Sequence, residues 1–87
     1  MAKVEIYTTM LYGFRSAAKQ LLKNKGVAFT EIDVMLKPGM RREMIERADG
    51  QTSVPQIFID DVHVGGCDEL YLLEHRKRLD PMLEGKP

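Results

Sequence analysis

The sequence predicts an α/β domain, a four-stranded mixed sheet with helices on both faces in the order β-α-β-α-β-β-α. Three observations predict it. A short alternating run, Lys3 to Thr8, is followed by a stretch rich in Ala, Leu, Lys and Gln with helical spacing. A second strand pattern and a second helix pattern repeat that order. Two apolar runs, Gln56 to Ile59 and Asp61 to Val64, then lie so close together that only a tight hairpin joins them.

Each element has its own signal. Val4 and Ile6 fall on one face of the first strand. Arg15 to Asn24 places Ala18, Leu21 and Leu22 at helical spacing, with Gly26 as a stop. Ala28 to Val34 is the second strand, broken by Pro38-Gly39. Met40 to Ala48 is the second helix, and Asp49-Gly50 ends it. After the hairpin, whose turn is Asp60-Asp61, Asp68 to Lys77 forms a third helix with Leu70, Leu72 and Leu73, and Pro81 stands just beyond it. The βαβ unit requires parallel strands and a right-handed crossover, and the hairpin adds an antiparallel pair.

The 87 residues suffice for one small domain spanning 1–87, with Glu84-Gly85-Lys86-Pro87 as a frayed tail. The balance of 13 basic and 13 acidic residues argues against nucleic acid or a membrane surface as partner. There is no apolar run near the roughly 18 residues a spanning helix needs, and no signal-peptide core precedes the first strand. A single cysteine excludes an internal disulfide framework. With that one cysteine, and with His63 and His75 lacking ligand spacing, no metal site is expected. These features favour a soluble cytoplasmic protein. The Arg41-Arg42-Glu43 run reads as a solvated helix face.

Several segments resemble the glutaredoxin family, of thioredoxin-like fold. Val4-Glu5-Ile6-Tyr7-Thr8 is similar to its first strand, Ala18-Lys19-Gln20-Leu21-Leu22 to its first helix, and Lys25-Gly26-Val27-Ala28-Phe29 to the turn into its second strand. The most specific matches are Ser53-Val54-Pro55-Gln56-Ile57-Phe58-Ile59 and His63-Val64-Gly65-Gly66-Cys67-Asp68-Glu69-Leu70. The resemblance implies glutathione-dependent disulfide reduction and deglutathionylation, with glutathione as co-substrate and a thiol or glutathionylated protein as partner. It also implies a C-x-x-C motif at positions 12 and 15, whose first cysteine is acidified by the helix start. Here the turn reads Tyr12-Gly13-Phe14-Arg15. A phenol titrating near about 10 and a permanent cation cannot perform thiol–disulfide exchange. The family's single-cysteine variant keeps the first position, which is lost here as well.

Other site residues carry two readings each. Pro55 is either a strand-start proline or, as the resemblance implies, a cis-proline that presents the Val54 backbone to the cysteinyl part of glutathione. Gly65-Gly66-Cys67-Asp68 is a turn with a helix cap, or the place where amides hold the γ-glutamyl carboxylate and Asp68 meets the ammonium. Phe14 matches the aromatic flanking the site, and Thr52 and Ser53 match polar residues before the proline. Thr9 replaces a lysine that meets the glycyl carboxylate, a contact Arg15 or Lys19 is available to take over. Cys67 is an inert, partly buried thiol, or one acidified by its helix start. The expected glutathione-binding set is therefore Phe14, Ser53, Val54, Pro55, Gly66, Cys67 and Asp68. The expected function is a redox-inactive member of the family that retains a weakened glutathione groove. The alternatives are an interaction module with Tyr12 and Arg15 at its contact surface, and residual redox chemistry through Cys67.

Overall fold

Alternation along the first strand decides how the sheet is covered. In the computed structural model, which describes residues 2–9 and 17–85, the elements are β1 (Val4–Thr8), α1 (Ala17–Asn24), β2 (Thr30–Asp33), α2 (Pro38–Arg47), β3 (Gln56–Ile59), β4 (Val62–Gly65), α3 (Cys67–His75) and α4 (Leu79–Leu83). The sheet order is β2-β1-β3-β4, with β1 parallel to β2 and antiparallel to β3, and β3 antiparallel to β4. On one face, Val4, Ile6, Ile57 and Ile59 pack against Ala18, Leu21 and Leu22 of α1, Leu70 of α3, and Leu79 and Leu83 of α4. On the other, Tyr7 and Phe58 pack with Val34 and with Met44 and Ala48 at the end of α2. The α/β class, the mixed sheet and its two helical coverings match the sequence expectation.

Three local outcomes differ from it, at Pro38, in a fourth helix and at the C-terminal end of α3. Pro38 opens α2 rather than only breaking β2, because proline at a first helical position gives up an N–H that has no acceptor there. Residues 15 and 16 of the expected first helix lie outside the described residues. The fourth helix was not expected, since Pro81 reads as a terminator. Proline is tolerated in the first turn of a helix, and Leu79 and Leu83, four residues apart, bury on one face. α3 stops at His75 because Lys77 enters the left-handed region (φ 60°), with Lys77 N–H bonded to the Glu74 carbonyl and Arg78 N–H to that of Leu73. The hairpin is as tight as its sequence suggests. Asp60 and Asp61 have φ of 50° and 67°, the handedness of the two-residue turn that matches strand twist.

Arg47 clamps α2 to the sheet. Its guanidinium forks onto Glu5 (Nη2 to Oε1 2.9 Å, Nη1 to Oε2 3.3 Å) and donates to the Tyr7 hydroxyl at 2.7 Å. It also lies 4.1 Å from the centre of the Phe58 ring. The Tyr7 hydroxyl in turn donates to Glu43 at 2.8 Å. Arg47→Ala is expected to destabilise the fold by about 1–3 kcal/mol, because it unpairs Glu5 and uncovers Phe58. Arg47→Lys, which cannot fork, should fall between the two. Urea unfolding checks this, and a loss below about 0.5 kcal/mol for Arg47→Ala would reduce the clamp to a screened surface pair.

Candidate functional site

The loop between α2 and β3 is short and tied at several points. Asp49 and Gly50 take positive φ (55° and 90°), and the Gly50 N–H closes α2 on the Ile45 carbonyl at 2.9 Å. The chain then runs through Gln51–Val54 to a cis Val54–Pro55 peptide and enters β3. Arg41 Nη2 donates to the Thr52 carbonyl at 3.1 Å. The buried Gln56 amide donates to the Ser53 carbonyl at 3.0 Å and lies 3.3 Å from Ser53 Oγ and from Gln51 Oε1. His63 Nε2 stands 2.7 Å from Gln56 Oε1. The loop's carbonyls at 52 and 53 therefore face inward to donors. Among the described residues, the backbone N–H and carbonyl of Val54 have no hydrogen-bond partner.

The second wall is the start of α3. Gly65 has φ of 117°, a region closed to most side chains, and a Cβ there would lie 2.6 Å from Glu69 Oε1. Gly66 is the N-cap, and a Cβ on it would approach the Pro55 carbonyl to 3.3 Å. That close approach is what brings the two walls together. Glu69, three residues into the helix, reaches back to the Gly66 N–H at 2.7 Å. The first amide donating within the helix is that of Leu70, to the Gly66 carbonyl, so among the described residues those of Cys67 and Asp68 have no partner, as helix starts leave them.

Ser53, Val54, Pro55, Gly66, Cys67, Asp68 and Glu69 together line one cleft of about 220 Å³. The six expected groove residues within the described chain thus converge, and Glu69 joins them. Tyr12, Phe14 and Arg15 lie outside the described residues. Lys19 is engaged elsewhere: its Nζ pairs with Glu31 at 2.9 Å, and the Thr8 hydroxyl donates to the same carboxylate at 2.9 Å. Burial pushes the Glu31 carboxyl up, but Lys19 and Thr8 outweigh it and hold it below its ordinary range. Cys67 is half-buried against the larger core cluster. Burial pushes its thiol up, the carboxylates of Asp68 and Glu69 push the same way, and a hydrogen bond from the Ala18 backbone opposes them. Among the described residues no group of three His, Cys, Asp or Glu side chains is placed to hold a metal ion, and no helix is long and apolar enough to cross a membrane.

The chain that forms this cleft, between a cis-proline loop and a Gly-Gly helix start, is similar to known proteins over most of its length. The family model described as Glutaredoxin matches residues 4–64. This chain belongs to the glutaredoxin family. It is 51% identical over 84 residues to Glutaredoxin 3 of Escherichia coli (strain K12), covering 97% of this chain and 100% of that protein. It is 49% identical over 83 residues to Glutaredoxin of Pseudomonas aeruginosa, covering 95% and 98%. Among solved structures, the glutaredoxin from Brucella melitensis superposes with a TM-score of 0.81 at 48% identity, covering 100% of this chain and 95% of that one. The buckwheat glutaredoxin–glutathione complex has the same fold, with a TM-score of 0.85 at 24% identity over 97% of this chain and 78% of that chain. The family's chemistry is thiol–disulfide oxidoreduction. The sole cysteine of this glutaredoxin is Cys67.

The sequence names six residues that line this cleft but not the side chains that hold its loop and helix start in place. Arg41, read as part of a solvated face, holds the Thr52 carbonyl. Gln56 was visible as the one polar residue in a strand otherwise Ile-Phe-Ile, and Glu69 as the third residue after a cap. Cys67 yields a direct test. Thiolate is the reactive form, so a raised pKa leaves less of it at neutral pH. Alkylation of Cys67 by iodoacetamide should be slower than that of free cysteine at neutral pH. Its rate should still be rising with pH where free cysteine has levelled off. A fast reaction at neutral pH would reverse the assignment.

Proposed function

We propose that this glutaredoxin has lost thiol–disulfide exchange and binds glutathione non-covalently in the cleft between the Ser53–Pro55 loop and the start of α3. The observation that carries the reading is the convergence of Ser53, Val54, Pro55, Gly66, Cys67 and Asp68 on one cleft, where the N–H groups of Val54, Cys67 and Asp68 have no partner among the described residues. In this reading the Val54 N–H and carbonyl pair with the cysteinyl backbone of glutathione as an added strand. The amides of Cys67 and Asp68 receive the γ-glutamyl carboxylate, aided by the helix dipole, and the exposed Asp68 carboxylate meets the ammonium. Pro55 shapes the loop, Ser53 and Gly66 line the approach, and Phe14 flanks the site. The buckwheat relative, a glutathione complex of the same fold, supports the choice of ligand.

Tyr12 and Arg15 stand where the family's cysteines do, so no sulfur is available at that turn to attack a disulfide. A thiol or glutathionylated protein is then a partner to be bound rather than reduced. The chain acts as a single domain over 1–87, and the cytoplasm is its proposed compartment, because a lone cysteine with no disulfide framework suits a reducing environment.

Affinity should be weak. The lysine replaced by Thr9 is gone, and Lys19 is paired with Glu31. Losing one charge-assisted contact costs about 1.5–3 kcal/mol, roughly ten-fold to a hundred-fold. Millimolar glutathione is expected to shift the amides of Val54, Cys67 and Asp68 in parallel, with the shifts lost in Asp68→Ala. Absence of any shift there would favour the interaction-module reading, with Tyr12 and Arg15 at the contact surface. A glutathione-coupled disulfide reduction assay should remain at background. Turnover that disappears in Cys67→Ser would instead assign residual chemistry to that thiol.

Restoring the sulfurs is the converse experiment. Tyr12→Cys with Arg15→Cys should create deglutathionylating activity on an unchanged fold, since the groove is built elsewhere in the chain. A folded double variant without activity would mean that the cleft does not serve glutathione.

A further inference from the structure

We infer that Gln56 and His63 are positioning residues that set the direction of the Val54 N–H through the Ser53–Val54 peptide, an inference that rests on the glutathione reading. Gln56 opens β3 with a side chain 1% exposed, on the face shared by Tyr7 and Phe58. A buried primary amide must satisfy both its oxygen and its NH₂ group. Its oxygen lies 2.7 Å from His63 Nε2. The Ser53 carbonyl can only accept, so it holds the NH₂ group toward the loop and leaves the oxygen toward His63, with Nε2 as the donor. The NH₂ group donates to the Ser53 carbonyl at 3.0 Å, with Ser53 Oγ at 3.3 Å. The flipped amide would set its oxygen against the Ser53 carbonyl oxygen and its NH₂ against a donating imidazole. The pairing therefore has one sense.

The consequence passes along a rigid unit. The Ser53–Val54 peptide is not the cis bond of this loop, so its C=O and N–H lie in one plane and point in opposite directions. Holding the Ser53 oxygen against Gln56 turns the Val54 N–H to the far side. A donor on the carbonyl also polarises the same amide, which makes its N–H a better donor. Arg41 does the same one peptide earlier, through the Thr52 carbonyl. His63 lies on β4, opposite Phe58 and with its ring 5.1 Å from that ring, so it is itself held by the sheet. The relay thus runs from the second strand of the hairpin to a groove backbone atom that neither side chain needs to touch.

The test uses the full chain with reduced glutathione as probe. Gln56→Met keeps length without polarity, His63→Phe keeps a ring on Phe58 without a donor, and His63→Gln returns a donor. Glutathione affinity, read from amide shifts of Cys67 and Asp68, should fall about ten-fold in Gln56→Met and in His63→Phe, and largely recover in His63→Gln. Because His63 acts through Gln56, the double variant Gln56→Met/His63→Phe should bind no more weakly than Gln56→Met alone. In the ligand-free protein, imidazole ¹⁵N spectra should show His63 protonated at Nε2. The Val54 amide proton should move upfield in His63→Phe and return in His63→Gln. An unmoved Val54 amide in a folded His63→Phe variant, or lowered stability with unchanged affinity, overturns the relay. If the unaltered chain shows no shift with millimolar glutathione, the glutathione reading is lost, and the relay is decided by the ligand-free Val54 amide alone.

Discussion

The antiparallel register of β1 with β3 is the constraint on which the cleft depends. Both strands lie at the centre of the sheet, with Ile6 and Ile57 buried on one face and Tyr7 and Phe58 on the other. A slip of one residue would exchange these faces, so burial on both sides fixes the pairing. Tyr7 opposite Gln56 then sets the exit of β1 beside the entrance of β3. The two-residue turn at Asp60-Asp61 returns β4 so that Gly65 faces Ile57, and α3 starts at that same edge. The loop before β3 and the start of α3 meet there because of one hydrophobic register.

What meets is mostly backbone. The walls are set by a cis-proline, a glycine at φ 117° and a glycine under a carbonyl, and none of these features involves sulfur. The groove's electrostatics are mixed. The start of α3 offers unpaired amides, yet Asp68 and Glu69 place two carboxylates in its first turn. Such a site suits a zwitterionic ligand end, carboxylate to amides and ammonium to Asp68, better than a bare anion.

Local chemistry was the legible part of the sequence. Period-2 and period-3.6 patterns located seven of the eight elements, and the adjacent Asp60 and Asp61 announced the hairpin. Ser53–Pro55 and Gly66–Asp68, which line the cleft, were named through a family resemblance, with the turn at Gly65-Gly66 and the strand-start Pro55 as local signals. The illegible part was nonlocal. Arg47 meets Glu5, Tyr7 and Phe58 only after folding, and Arg41 and His63 likewise acquire partners 11 and 7 residues away. No spacing rule announces such contacts. The fourth helix was missed because Pro81 is a breaker in one position and harmless in another, and its place within a turn is set by the burial of Leu79 and Leu83.

Cys67 shows how a correct local rule is overruled by its surroundings. A helix start lowers a thiol's pKa through the macrodipole and free amides. Here the thiol is also desolvated against the core, and two carboxylates share its turn, so the net direction is upward. Those same carboxylates line the cleft, and Glu69 secures the Gly66 amide. The features that shape this helix start therefore also lower the thiolate fraction of its sulfur at neutral pH. The helix start that would acidify an isolated thiol thus leaves the chain's one sulfur with a raised pKa, because burial and neighbouring charge act on the same atom as the dipole.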